Sequence, residues 1–429
     1  MRKTMLFIMI FILLIGHSGN LSYGNQSLSI LMDGQLLKTD QAPRIIQGRT
    51  LAPLRAIFEA LGAEVAWDGD TKTVSARKDQ NEVILKIGNP YGTVNGLQKS
   101  LDVPGIIIEG RTFIPLRFIS ESLGARVDWD GTNKQVLIYS SKEINHEKEF
   151  RFREIAIGDL EEKVLKELGQ PDRKDLSEYG FEWYIYHGDY REYLQVGIQN
   201  KRVVGLYTNA DNWKSRKGVQ IGTKKETVSQ YFGKPITSIQ KGNIIFQLNH
   251  GNEIDVYQLE DYYATIFYDI HQQNKVTAVQ LIEKNTEEAT KSLHGEPSGR
   301  LVESFERQVF DLANAIRVRN KLTPFSWDDK VAGTARKHST DMASNQYFDH
   351  TNTRNQSPFD RMKDDGISFS RAAENIAAGQ TSAIFAHEGW MNSAGHRTNI
   401  LGNFGRLGVG VHLGGSFKTY YTQKFYTGK

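Results

Sequence analysis

The chain repeats itself, and a repeat of this length must fold as a doubled unit. GRTLAPLR at residues 48–55 returns as GRTFIPLR at residues 110–117. The register holds beyond the motif: Leu61-Gly62-Ala63 is matched by Leu123-Gly124-Ala125, and Trp67-Asp68-Gly69 by Trp129-Asp130-Gly131. Self-similarity at a fixed period is the signature of a duplicated supersecondary unit. Each copy reads as strand, helix and hairpin. Leu54, Ile57, Phe58 and Leu61 occupy one helical face, Pro53 suits the first turn and Gly62 stops the helix. Val65 and Trp67 alternate ahead of an Asp68-Gly69 turn. A second duplication follows, in which Ile157-Gly158 recurs as Ile221-Gly222 and Gly169-x-Pro171 as Gly233-x-Pro235. Here a short helix at residues 160–168 is closed by glycine and proline. Strand-like runs such as Trp183-Tyr184-Ile185-Tyr186 come next.

With 429 residues, two to four domains are expected. Apolar residues at 39% and charged residues at 24% are ordinary for globular protein, and a net charge of +3 without basic runs excludes nucleic acid as a partner. The N-terminus reads as an export signal over residues 1–24: basic Arg2-Lys3, an apolar run from Met5 to Ile15, and a small-x-small site at Ser22-Tyr23-Gly24. The alternative is a retained anchor, although the run is short for a membrane span. There are no cysteines, which removes disulfides, thiol catalysis, cysteine zinc sites and cysteine-linked lipid. The expected address is extracellular and wall-associated, in a bacterium.

The segment at 26–140 resembles the stalk-like module named after the N-terminal domain of copper amine oxidases, through its GRTxxPLR…LGAxVxWD pattern. It contains no histidine, so a copper site is not expected there. Arg55 and Arg117 are expected to pair internally or face solvent, with an acidic wall polymer as the alternative partner. The segment at 150–285 is similar to the domain found ahead of bacterial CAP domains. Its histidines, His187, His250 and His271, stand isolated and read as surface or packing residues. Its aromatic strands read as packing, with a glycan-stacking surface as the alternative. Polar stretches at 141–153 and 286–300 read as linkers.

The last segment, 301–429, carries early helices and late strands. A helix over about residues 303–320 buries Val309, Leu312, Ala313 and Ile316. Asp328 or Asp329, Ser357 and Ser382 are placed as helix caps. YFDHTN (347–352), SPFDRM (357–362), AENIAAGQ (373–380), WMNSAGHRTNIL (390–401), GVGV (408–411) and YYTQKF (420–425) together resemble a CAP domain of the SCP-like extracellular family, in a short cysteine-free form. The resemblance implies an α-β-α sandwich with a cleft. The whole is therefore expected to be a multidomain α+β chain, its C-terminal sandwich preceded by two internally duplicated α+β modules.

The family's cleft carries two histidines and two acids. By motif, His350 is the first histidine and Glu374 the first acid. The second acid position holds Ser393 and the second histidine position Tyr420, leaving His396 of the GHR motif as the stand-in. His350, Glu374 and His396 are the candidate site. Two imidazoles and a carboxylate are a zinc-type ligand set, so zinc or another divalent metal is the candidate cofactor. Without metal, Glu374 would act as a base beside a histidine. The bland alternative is that these groups bond one another and hold the cleft's shape. His387 and Glu388 are further substitutes. Ser393 lacks a G-x-S-x-G elbow and is not expected to be a nucleophile. The expected function is presentation of a ligand-binding CAP cleft to a cell-wall polymer or small extracellular ligand, with no membrane partner after signal cleavage. The alternatives are a hydrolase of peptidoglycan or peptides, and a structural protein of a wall or spore layer.

Overall fold

The computed structural model describes residues 28–33, 35–78, 81–130, 134–139, 148–241, 244–248, 251–259, 261–290 and 292–429. The expected export signal, most of the 141–153 linker and His250 lie outside them. The described residues form two compact units, divided between residues 139 and 148. Among them no helix is long and apolar enough to cross a membrane.

The first unit is a pseudo-twofold pair. Strand β1 (Arg49–Pro53) runs into helix α1 (Leu54–Leu61) and then strand β2 (Glu64–Asp68). Strand β3 (Arg111–Pro115), helix α2 (Leu116–Ser122) and strand β4 (Arg126–Asp130) repeat the sequence of elements. β1 and β3 pair antiparallel, with Leu51 opposite Pro115, Ala52 opposite Ile114 and Pro53 opposite Phe113. Ala52 and Ile114 are equivalent residues, so the pairing is self-complementary about that point. Ion pairs obey the same symmetry: Arg49 Nε meets Asp102 Oδ2 at 2.6 Å, and Arg111 Nε meets Asp40 Oδ2 at 2.7 Å. Each copy reaches its strand through a turn with two positive φ angles, Gln47-Gly48 (49°, 74°) and Glu109-Gly110 (47°, 73°), the conformation that suits a twisted hairpin. Ile57, Phe58 and Leu61 join Leu116, Ile119 and Leu123 in one core. Arg55 is exposed. Arg117 is exposed too and lies 3.8 Å from Glu121.

The second unit holds the two remaining domains. In the first of these, helices α3 (Glu161–Leu168) and α4 (Lys225–Phe232) end at Gly169 and Gly233, both at positive φ. The halves meet where the strand Arg202–Thr208 pairs antiparallel with Lys275–Glu283, completing a seven-stranded sheet. Trp183, Tyr184, Tyr186 and Tyr193 are buried, so the aromatic strands pack. Part of the stretch expected as a polar linker forms helix α5 (Lys284–Ala289).

The last domain is layered. Helix α6 (Gly299–Arg319) starts a turn earlier than periodicity suggested, because Ser298 Oγ accepts from Leu301 N–H at 3.1 Å. Helix α7 (Asp329–Ser344) is capped by Asp328, and helix α8 (Pro358–Asp364) opens on a full Ser357/Asp360 capping box. Strand β5 (Ser326–Trp327), edge strand β6 (Arg371–Ala378), and strands β7 (Arg406–Leu413) and β8 (Thr419–Thr427) form a sheet in the order β5-β7-β8-β6. Helices α9 (Ala383–Asn392) and α10 (Ala394–Ile400) fall between β6 and β7 in the chain. Side chains of β8 alternate. Tyr421 and Phe425 enter the core shared with α6 and α9, whereas Tyr420 packs against Met342 of α7 and Tyr426 against Val331. Gly408 and Gly410 let α7 lie directly on the sheet, since a Cβ on Gly410 would stand 2.0 Å from Arg336 N.

The core does not stop at this domain. Phe181, Trp183, Tyr193, Tyr207 and Phe267 of the preceding domain join Phe305, Leu312, Trp390 and Phe425 in one continuous cluster. Polar groups seal the seam. Asp311 of α6 accepts from Arg173 at 2.6 Å and from Tyr190 at 2.8 Å. Arg319 donates to the carbonyls of Asn209 (2.6 Å) and Thr277 (2.7 Å).

Candidate functional site

Edge strand β6 positions the acid. Alternation sends Glu374 to the α7–α8 side of the sheet and Asn375 to the other. Directly across the ladder from Glu374 stands Lys424 of β8. Its Nζ reaches Glu374 Oε2 at 2.6 Å, with both side chains essentially buried. From α8, Arg361 Nη2 donates to Oε1 (3.1 Å) and Oε2 (3.0 Å). His350, in the loop after α7, places Nδ1 2.9 Å from Oε1. Arg361 also donates to the His350 carbonyl at 2.8 Å, which fixes that loop.

Burial alone would raise the Glu374 pKa. Lys424, the His350 bond and Arg361 outweigh it and hold the carboxyl at about 2. An ionised carboxylate only accepts, so His350 Nδ1 is the donor of this bond. The His350 side chain is 43% exposed against 2% for Glu374, so the imidazole is the part of the pair open to solvent. Burial pulls the Lys424 pKa below its ordinary value, with Glu374 acting in the opposite sense. His338 of α7 is fully buried behind the pair, where its Nε2 donates to the Asp349 carbonyl at 3.1 Å. Burial brings its pKa to about 4, which keeps it neutral.

His350 and Glu374 therefore meet as the motifs suggested. His396 of α10 approaches the same edge from the far side. Burial, then the proximity of His350, lowers its pKa to about 4. Its carbonyl accepts from Asn375 Nδ2 at 3.1 Å, and among the described residues no hydrogen bond joins its ring to Glu374. Asn399 Nδ2 donates to Asn375 Oδ1 at 2.8 Å, closing a lattice under α10. Ser393 links α9 to α10 and makes no side-chain cap. Tyr420 is buried, its hydroxyl 3.2 Å from Ser416 Oγ and away from the acid. His387 and Glu388 face the seam instead: Tyr207 donates to Glu388 at 2.8 Å, and burial brings the His387 pKa down to about 3.

The divalent metal expected on His350, Glu374 and His396 does not fit this arrangement. Both Glu374 oxygens already accept from N–H donors, and two cations stand where a third would have to enter. No three His, Asp or Glu side chains among the described residues are grouped to hold a metal ion. The same bonds remove Glu374 as a base, because a carboxyl held near 2 has little tendency to take a proton at neutral pH. Lys424, Arg361 and His338 are the residues that sequence reasoning missed. Lys424 carried a signal, a lysine within the aromatic-rich YYTQKF strand.

Comparison with known proteins matches three family models along the chain. Residues 31–138 match the copper amine oxidase N-terminal domain, 157–293 the CAP-associated N-terminal domain and 310–425 the cysteine-rich secretory protein family. Bacillus subtilis YlbC, described as an uncharacterized membrane protein, is 30% identical over 292 residues, covering 63% of this chain and 82% of that one. B. subtilis YkwD, described as an uncharacterized protein, is 43% identical over 141 residues, 33% of this chain and 53% of that one. The crystal structure of an extracellular SCP-domain protein from Bacillus anthracis superposes with a TM-score of 0.57 at 30% identity, covering 67% of this chain and 99% of that one.

Proposed function

The chain belongs to the cysteine-rich secretory protein (CAP) family, and from that premise we propose that it is exported and presents its C-terminal cleft to bind a cell-wall polymer or a small extracellular ligand without cleaving it. The observation that carries this is the saturated carboxylate of Glu374. A hydrolytic site needs a group that moves a proton or activates water. Here the acid is spent on fixing one imidazole. What reaches solvent is the imidazole of His350, held in one orientation, with a neutral His396 beside it. Such a pair suits a ligand that offers O–H or N–H donors, as the hydroxyls and amides of wall polymers do.

The test is to incubate the full chain with purified peptidoglycan, sediment it, and analyse the supernatant. Retention should fall in His350→Ala while the melting temperature stays near that of the parent. No soluble fragments should appear. Fragments released by the parent and absent with His350→Ala would establish cleavage and overturn the binding reading.

A further inference from the structure

The duplicated first unit carries a groove of about 510 Å³, within the range of about 300–1,000 Å³ typical of small-ligand sites. Trp129 forms one wall and is 44% exposed, as is unusual for a residue generally well buried. Ile45 adds apolar surface, and Arg49, Asp102, Arg117 and Glu121 supply the rim. The rim side chains are more than half exposed: 54% and 68% for Arg49 and Asp102, 61% and 52% for Arg117 and Glu121. Among the described side chains these are the only charged ones lining the groove, and their charges cancel.

We propose that this groove binds a neutral saccharide chain, with the Trp129 indole as its stacking platform. A pyranose has an apolar C–H face and an equatorial ring of hydroxyls. The first needs an aromatic plane, and the second needs planar groups that donate and accept in pairs, which arginine and carboxylate side chains provide. The cancelled charge speaks against a polyanion, whose binding requires a net positive surface. The duplication supplies independent support. Ile45, Arg49, Asp102, Arg117, Glu121 and Trp129 each find the same residue type at the equivalent position of the other repeat, including an Arg111–Asp40 pair and a Trp67 that is 45% exposed. Buried positions include replacements, Leu51 for Phe113, Ala52 for Ile114 and Phe58 for Ser120, beside matches such as Ile57 with Ile119 and Leu61 with Leu123. Packing does not require identity at the exposed positions, whereas two related sites on one repeating polymer do. This inference does not depend on the reading of the C-terminal cleft.

The experiment is calorimetric titration of the full chain with two probes, the tetramer of β-1,4-linked N-acetylglucosamine and maltotetraose. At least one should bind. Trp129→Ala should weaken that binding about tenfold, the size of one aromatic stacking contact. Trp129→Phe should restore most of it, and the dependence on Trp129 should persist in a His350→Ala background. Thermal melts confirm that each variant folds. Failure of both probes to bind, an unaltered affinity in Trp129→Ala, or heparin binding in preference to both probes would overturn the proposal. So would binding that needs His350 and not Trp129, which would move the saccharide to the other site.

Discussion

The two units use the same chemistry in opposite environments. In the duplicated unit, arginine–carboxylate pairs lie in water: Arg49 and Asp102 bond at 2.6 Å with more than half of each side chain exposed. In the second unit, Lys424 and Glu374 bond at the same distance with almost none exposed. An exposed pair contributes little and leaves its members free to exchange partners for a ligand. A buried pair has lost its water and cannot be opened cheaply. Short distance alone therefore says little about role. The first arrangement can serve recognition by its own charged groups. The second can serve it only through the imidazole it orients.

The largest effect should come from dividing the second unit. Its core runs through both domains, so a chain cut near residue 295 strips Phe305, Leu312 and Trp390 of partners such as Trp183 and Tyr207. A fragment covering residues 299–429 should show no cooperative thermal transition, while the intact chain does. A sharp transition in the fragment would separate the domains energetically. Next comes Lys424→Met, which leaves Glu374 buried with Arg361 as its remaining full cation. A loss of about 3–5 kcal/mol in urea unfolding is expected. A loss below about 1 kcal/mol would place this pair with the exposed ones.

The third prediction concerns the seam. Burial raises the Glu388 pKa to about 7 against the opposing effects of Tyr207 and Arg319. A raised acid contributes fully below its ordinary value near 4.5, and that contribution is lost as pH rises through 7. Glu388→Gln keeps an acceptor for Tyr207 and cannot ionise. Between pH 5 and pH 8 the parent's unfolding free energy in urea should fall relative to the variant's, by on the order of 3 kcal/mol. Parallel profiles would show that Glu388 does not titrate in that window. The smallest effect belongs to the exposed pair: Arg49→Ala should cost under about 1 kcal/mol, shrinking further in salt.

Much of this was legible in the sequence because it is local. Caps at Asp328, Ser357 and Ser382, the glycine stops after α3 and α4, and the alternation in β8 all follow from short-range rules. The 62-residue period announced a doubled unit, and the motifs brought His350 to Glu374. What stayed hidden depends on distant pairing. Nothing near Lys424 says that Glu374 lies across the ladder, fifty residues away. Asp311 and Arg319 read as ordinary charged positions on a helix, because the partners that bury them lie in another domain. The polar stretch after residue 283 resembled a linker by composition, yet Tyr179 and Lys241 hold Glu287 in place there.

The shared core also bears on inheritance. Recombination favours breakpoints where few contacts are cut, and the natural place by domain family lies near residue 300. A crossover there would join half of one hydrophobic interior to half of another, and would orphan Asp311, Arg319 and Glu388 together. Offspring of such an exchange start at a folding disadvantage that many later substitutions would have to repair. The duplicated unit buries its apolar residues in a core of its own. Exchanging that unit would leave the interior shared by the two later domains whole.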